Sequence, residues 1–114
     1  MAEKSIFQRI IDREIPADIV YEDELCIAFR DINPQAPTHL VVIPKKEIPM
    51  VDQMAEEDEQ TVGHLFLAMK QIASELGLSG GYRVVTNNGA DAGQEVLHLH
   101  FHMLAGRRFT WPPG

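Results

Sequence analysis

A chain of 114 residues and 12.8 kDa builds one domain with one core, burying roughly two-thirds of the surface its unfolded form exposes. A composition that is 45% hydrophobic and 24% charged excludes disordered, collagen-like and disulfide-scaffold classes. The formal charge of −7 argues against a nonspecific grip on nucleic acid or on an anionic membrane surface, while leaving room for one phosphate held locally. Cys26 is the only cysteine, so no intrachain disulfide forms. The opening Met1-Ala2-Glu3-Lys4 leads into a charged amphipathic stretch without the apolar segment of a signal peptide, and every apolar run falls short of the ~20 residues of a membrane helix. A reduced, cytoplasmic location follows as an expectation, with neither nucleic acid nor membrane as partner.

Residues 4–13 carry Ile6, Phe7, Ile10 and Ile11 at helical spacing, and Pro16 stops any continuation. Two segments rich in β-branched and aromatic residues, 19–21 and 25–31, flank the acidic turn Glu22-Asp23-Glu24 and predict a hairpin. The loop Asn33-Pro34-Gln35-Ala36-Pro37 then delivers the chain to a third strand over 39–44, closed by Pro44 and two lysines. Residues 56–76 place Val62, Leu65, Phe66, Met69, Ile72, Ala73 and Leu76 on one helical face, with Gly77 set to cap the end. A strand over 82–86, the glycine-bearing polar loop 87–94 and a last strand over about 96–104 complete the chain before the tail 106–114. The sum is a single α+β domain over 1–114, with a mostly antiparallel five-stranded sheet, one long helix and one short.

Five histidines are present, and three of them, His98, His100 and His102, alternate with Leu99 and Phe101. On an extended strand all three imidazoles emerge on one face, about 6.6 Å between neighbours, while the apolar residues line the other. Three polar rings in register are costly to bury unless something polar meets them, so the plain alternative is a solvent-exposed polar face. Two chemistries suit the spacing: two or three ligands to zinc, or a nucleophile, proton donor and phosphate ligand for phosphoryl transfer. The preceding loop tilts toward an anion, because it offers glycine-rich backbone and no thiolate.

The run His98-Leu99-His100-Phe101-His102-Met103-Leu104 resembles the signature of the histidine triad proteins, in which three histidines alternate with apolar residues. The similarity extends to Phe29 through His39, to Gly93-Gln94-Glu95-Val96, and to the terminal Trp111-Pro112-Pro113-Gly114, which look like the Hint branch of histidine triad nucleotide-binding proteins. The resemblance implies a homodimer whose sheets join into one. It also implies hydrolysis of purine nucleoside 5'-phosphoramidates, adenosine type preferred, to a nucleoside monophosphate and an amine through a nucleotidyl-histidine. Carried over residue by residue, it makes His100 the nucleophile and places His98 and His102 beside it, with His102 on the phosphate. His39 would support proton traffic near the nucleophile. Asp31 would hold the ribose, and Ile32, Phe7 and Phe29 the base, with Ile10 equally suited to plain core. Asn87, Gly93, Gln94 and Glu95 would line the phosphate, and Trp111 would sit near the partner subunit's pocket.

At Glu95 some Hint proteins carry a serine, and a carboxylate there bears on how the leaving group is handled. His64 matches no site of the family and reads as structural or surface. The implied chemistry calls for no cofactor and no metal. Two alternatives remain: a dinucleoside polyphosphate hydrolase of the Fhit type, and a nucleotide- or zinc-binding interaction protein with vestigial catalysis.

Overall fold

The structure, a computed structural model, describes residues 3–114; Met1 and Ala2, where the expectation of a leaderless start begins, lie outside the described residues. Ser5 opens the first helix, α1 (Ile6–Ile11), by accepting a hydrogen bond from the Gln8 N–H on its hydroxyl at 2.9 Å. The helix is shorter than the 4–13 pattern predicts. Arg13 enters the left-handed region at φ 60°, and the Glu14 N–H turns back to the Arg9 carbonyl, so the backbone closes before Pro16 is reached.

The expected hairpin forms from β1 (Ile19–Glu22) and β2 (Cys26–Arg30). Its turn is built by Asp23, whose Oδ1 accepts from the Leu25 and Cys26 N–H groups at 2.8 and 3.0 Å. Strand β3 (Thr38–Pro44) follows the two-proline loop. The long helix, α2 (Glu59–Glu75), starts three residues later than the sequence pattern suggests. Glu56–Asp58 instead form a separate 3-10 turn, in which the Asp58 carboxylate accepts from the Ala55 N–H at 2.9 Å. At the other end Gly77 adopts φ +66°, the left-handed geometry that terminates helices, as its position in the sequence suggests.

Strands β4 (Tyr82–Val85) and β5 (Phe101–Ala105) complete one five-stranded antiparallel sheet in the order β1-β2-β3-β5-β4. Strand β5 corrects the expectation of a strand over 96–104, because ladder pairing begins only at Phe101 opposite Val42. Both neighbours end close to that point. β3 ends at Pro44, which has no N–H to give, and β4 ends at Val85. The freed backbone finds other partners: the Leu99 N–H donates to the Ile48 carbonyl at 2.6 Å, and the Thr86 hydroxyl donates to the His100 carbonyl at 2.8 Å. Two of the three clustered histidines therefore lie on a tethered approach to the strand.

Each face of the sheet has its own apolar cluster. On one, Leu65, Met69 and Ile72 of α2 pack on Leu40, Val42, Leu99, Phe101 and Met103. On the other, Ile10 of α1 packs on Ile27, Phe29, Val41 and Ile43. Burying each such side chain contributes about 1.5–3 kcal/mol. Alternation thus survives the loss of ladder pairing: Leu99, Phe101 and Met103 point to α2, and the histidines between them point to the α1 side.

Candidate active site

A cavity of about 700 Å³ opens on the α1 side of the sheet. Phe7, Phe29, Asp31, Ile32, His39, Asn87, Gly93, Glu95, His100 and His102 all line it, so most of the residues singled out in the sequence are brought together. The register explains part of this: Phe29 pairs with Val41, Val41 with His102, and paired residues share a face. Ile10 also lines the cavity while 6% exposed, so it is both core and wall.

The imidazoles differ sharply in what their nitrogens touch. His100 Nδ1 lies 2.7 Å from the His98 carbonyl, which can only accept, so Nδ1 carries the hydrogen and the uncharged ring keeps its lone pair on Nε2. The ring is clasped between Phe7, edge-on at 4.9 Å between centroids, and His102 at 5.1 Å. His98 Nε2 donates to the Pro44 carbonyl at 2.9 Å, and its Nδ1 faces the Ser5 hydroxyl at 3.5 Å. Wholly buried, His98 does not border the cavity; it supports the backbone beneath His100 instead.

His39 and His102 form a pair. The Gln35 N–H donates to His39 Nδ1 at 3.0 Å, so the uncharged His39 holds its hydrogen on Nε2 and donates it to His102 Nδ1 at 2.8 Å. That leaves the hydrogen of uncharged His102 on Nε2. Asp31 Oδ2 lies 3.4 Å from His39 Nε2, while its Oδ1 accepts from the Asn33 N–H at 2.8 Å. Burial pushes His102 down to about 4, reinforced by His100 and His39 and opposed by the Asp31 carboxylate. Burial likewise lowers His39 and His98, against the opposing pull of Asp31 and of the Pro44 carbonyl respectively. The rings are thus neither exposed nor unpartnered, which removes the reading of a solvent-facing polar stripe.

Three expected site residues fall elsewhere in role. Gln94 turns away from the cavity and clamps its loop: Oε1 accepts from the Gly89 N–H at 2.9 Å, and Nε2 donates to the Pro49 and Val96 carbonyls at 2.7 and 3.0 Å. The backbone donors expected of Gly93 and Gln94 are also committed within the loop, to the Ala90 and Gly89 carbonyls at 3.0 and 3.1 Å. Gly93 itself sits at φ +85°, where a side chain would be strained. Trp111, 83% exposed, lies outside the cavity, on a tail held beside β4 by Arg83 donating to the Thr110 carbonyl at 2.8 Å. His64 hydrogen-bonds Asp23 at 2.6 Å beneath the hairpin turn, a structural tie, one of the two roles expected of it.

The sequence reading missed Ile6, Ile15, Pro16, Ala17 and Arg30 on the cavity wall. The signal was present in Ile15-Pro16-Ala17, an apolar segment whose proline cannot continue a helix and which lines the cavity after the chain turns at Arg13 and Glu14. As for metal, the alternating histidines do not converge as a ligand set. Among the described residues, the ligand atoms of Asp31, His39 and His102 lie within 4.8 Å of one another, and so do those of Asp23, Cys26 and His64. In the first group His39 Nε2 already donates to His102 Nδ1 at 2.8 Å, and in the second His64 is hydrogen-bonded to Asp23 at 2.6 Å.

The model of the HIT domain family matches residues 12–109. A protein of Synechocystis described as an uncharacterized HIT-like protein is 56% identical over the whole of both chains. Among solved structures, a HIT family hydrolase from Legionella pneumophila superposes with a TM-score of 0.94 at 46% identity, covering 97% of this chain and all of that one. A histidine triad nucleotide-binding protein from Candida albicans superposes with a TM-score of 0.82 at 30% identity, covering 96% of this chain and 83% of that one. No helix among the described residues is long and apolar enough to cross a membrane.

Proposed function

The chain belongs to the HIT domain family, and from that premise we propose that it is a hydrolase of the Hint branch, cleaving the P–N bond of purine nucleoside 5'-phosphoramidates. The observation that carries this reading is the hydrogen bond from His100 Nδ1 to the His98 carbonyl, which directs the ring's other nitrogen to act as a nucleophile at the cavity. The volume of about 700 Å³ suits a nucleoside monophosphate. Its wall divides accordingly, with Phe7, Phe29 and the 96% exposed Ile32 for the base, Asp31 for ribose hydroxyls, and the imidazoles for the phosphate. The name of the Candida albicans protein, at 30% identity, is consistent with a nucleotide as substrate.

In this mechanism His100 Nε2 attacks the α-phosphorus and the P–N bond breaks, its electron pair leaving with nitrogen. His102 Nε2–H, fixed by the His39 hydrogen bond at Nδ1, donates to the phosphate and stabilises the charge that builds there, while the departing nitrogen takes its proton from solvent in the open cavity. The His98 carbonyl, still bonded to Nδ1–H, stabilises the positive charge on the nucleotidyl-imidazole. Water then attacks phosphorus and returns its proton to solvent, the bond from phosphorus to His100 Nε2 breaks, and the ring leaves uncharged as the nucleoside monophosphate is released. Glu95, exposed on the cavity wall, faces the leaving group and favours amines that carry positive charge.

The same reading includes a homodimer that continues the sheet at the free side of β4. The α2 residues Phe66 and Leu67, 52% and 65% exposed, supply apolar surface, and the tail held beside β4 brings Trp111 to that edge. A cytoplasmic location belongs to it too, in keeping with the buried free thiol of Cys26. The deciding assay compares turnover of an adenosine phosphoramidate with that of a diadenosine polyphosphate. Preference for the phosphoramidate is expected; preference for the dinucleotide would transfer the chain to Fhit-type chemistry.

A further inference from the structure

His98 is completely buried and one of its nitrogens has few options. Its Nε2 hydrogen goes to the Pro44 carbonyl, so Nδ1 bears a lone pair, and the Ser5 hydroxyl, 3.5 Å away, is the polar group that faces it. That hydroxyl already accepts from the Gln8 N–H, so its own hydrogen is free for His98. One side chain thus caps α1 as an acceptor and satisfies His98 as a donor. Two residues later along the same helix start, Phe7 lies against both His98 and His100, at 6.3 and 4.9 Å between centroids. The His98 carbonyl receives His100 Nδ1–H.

We propose that Ser5 is a positioning residue for His100: by donating to His98 Nδ1 it fixes the His98 ring and carbonyl, and through that carbonyl the tautomer and aim of the nucleophile. The inference rests on His100 as the nucleophile. A buried nitrogen left without a donor rotates or draws in a proton, and either change moves the carbonyl on which His100 depends. The N-terminal helix is in this way part of the catalytic apparatus as well as a wall of the base pocket.

Three variants separate the two roles of the hydroxyl. Ser5→Thr keeps both cap and donor. Ser5→Asp keeps the cap, since aspartate is a strong N-cap, but its carboxylate has no hydrogen for His98. Ser5→Ala loses both. Nitrogen-15 NMR of the imidazoles, recorded without substrate, reports the tautomers directly. His98 protonated on Nε2 and His100 on Nδ1 are expected in the parent and in Ser5→Thr, with both populations disturbed in Ser5→Asp and Ser5→Ala. Phosphoramidate kinetics should follow, with kcat lowered about tenfold in those two variants, KM within about twofold, and Ser5→Thr close to the parent. If Ser5→Asp keeps the parent's imidazole signals and kcat, the cap alone explains Ser5 and the inference is overturned. Because the NMR signals need no substrate, absence of phosphoramidate turnover in the parent would undermine the proposed activity while leaving the tautomer test intact.

Discussion

The two faces of the sheet carry the same alternating segment and use it oppositely. Toward α2, Leu99, Phe101 and Met103 meet Leu65, Met69 and Ile72 in a cluster whose buried members are apolar. Toward α1, the intervening histidines meet a carbonyl, a hydroxyl, another imidazole and a carboxylate. The first face gives stability through area and fit. The second is stable only because each buried nitrogen has an assigned partner, and it places His100 so that its unassigned nitrogen is the reactive one. Chemistry and stability are therefore carried by opposite sides of one strand, and each should be removable without the other.

The largest expected effect is on the α1 side. His100→Ala should lower phosphoramidate turnover by more than about 10³-fold while circular dichroism and thermal unfolding stay near those of the parent. A variant that retains turnover would end the assignment of the nucleophile. On the α2 side, Leu65→Ala, at a fully buried position, should destabilise by about 2–5 kcal/mol in denaturant titration. Its folded fraction should keep kcat within about twofold; a much larger loss would mean that the two faces are coupled.

The smallest expected effect concerns pH. His102 sits at about 4 in the folded chain against 6.5 for an unperturbed ring, so between those values the unfolded chain binds the extra proton. Stability on this count is full above about pH 6.5 and falls as pH drops toward 4, with buried His39 and His98 shifting in the same direction. Denaturation midpoints at pH 7.5 and 4.5 should differ accordingly, and His102→Gln should narrow the gap. An unchanged gap would show that His102 is not held uncharged by burial.

Much of this arrangement was legible in local pattern. The spacing of Leu65, Met69 and Ile72 identified α2 and its inward face, and the alternation at His98, His100 and His102 put three rings on one side. What escaped depends on partners distant in sequence. Nothing near residue 96 reveals that Pro44 cannot continue the ladder or that the Ile48 carbonyl will take the Leu99 N–H instead. Gln94 looks like a phosphate donor in the loop and becomes a clamp only because the Pro49 carbonyl is beside it. His98 reads as an equal member of the triad until its burial under α1 makes it a support. Ser5 reads as an ordinary helix cap until the fold brings His98 within reach across 93 positions.

The central claim is that His100 Nε2 forms a bond to phosphorus, and the direct measurement is rapid quenching of enzyme with an adenosine phosphoramidate followed by peptide mass spectrometry. A burst of released amine, matched by a nucleotidyl adduct on the peptide containing His100 and lost in His100→Ala, is expected. Steady turnover with no adduct at any time point, or an adduct on His98 or His102 that survives His100→Ala, would contradict it.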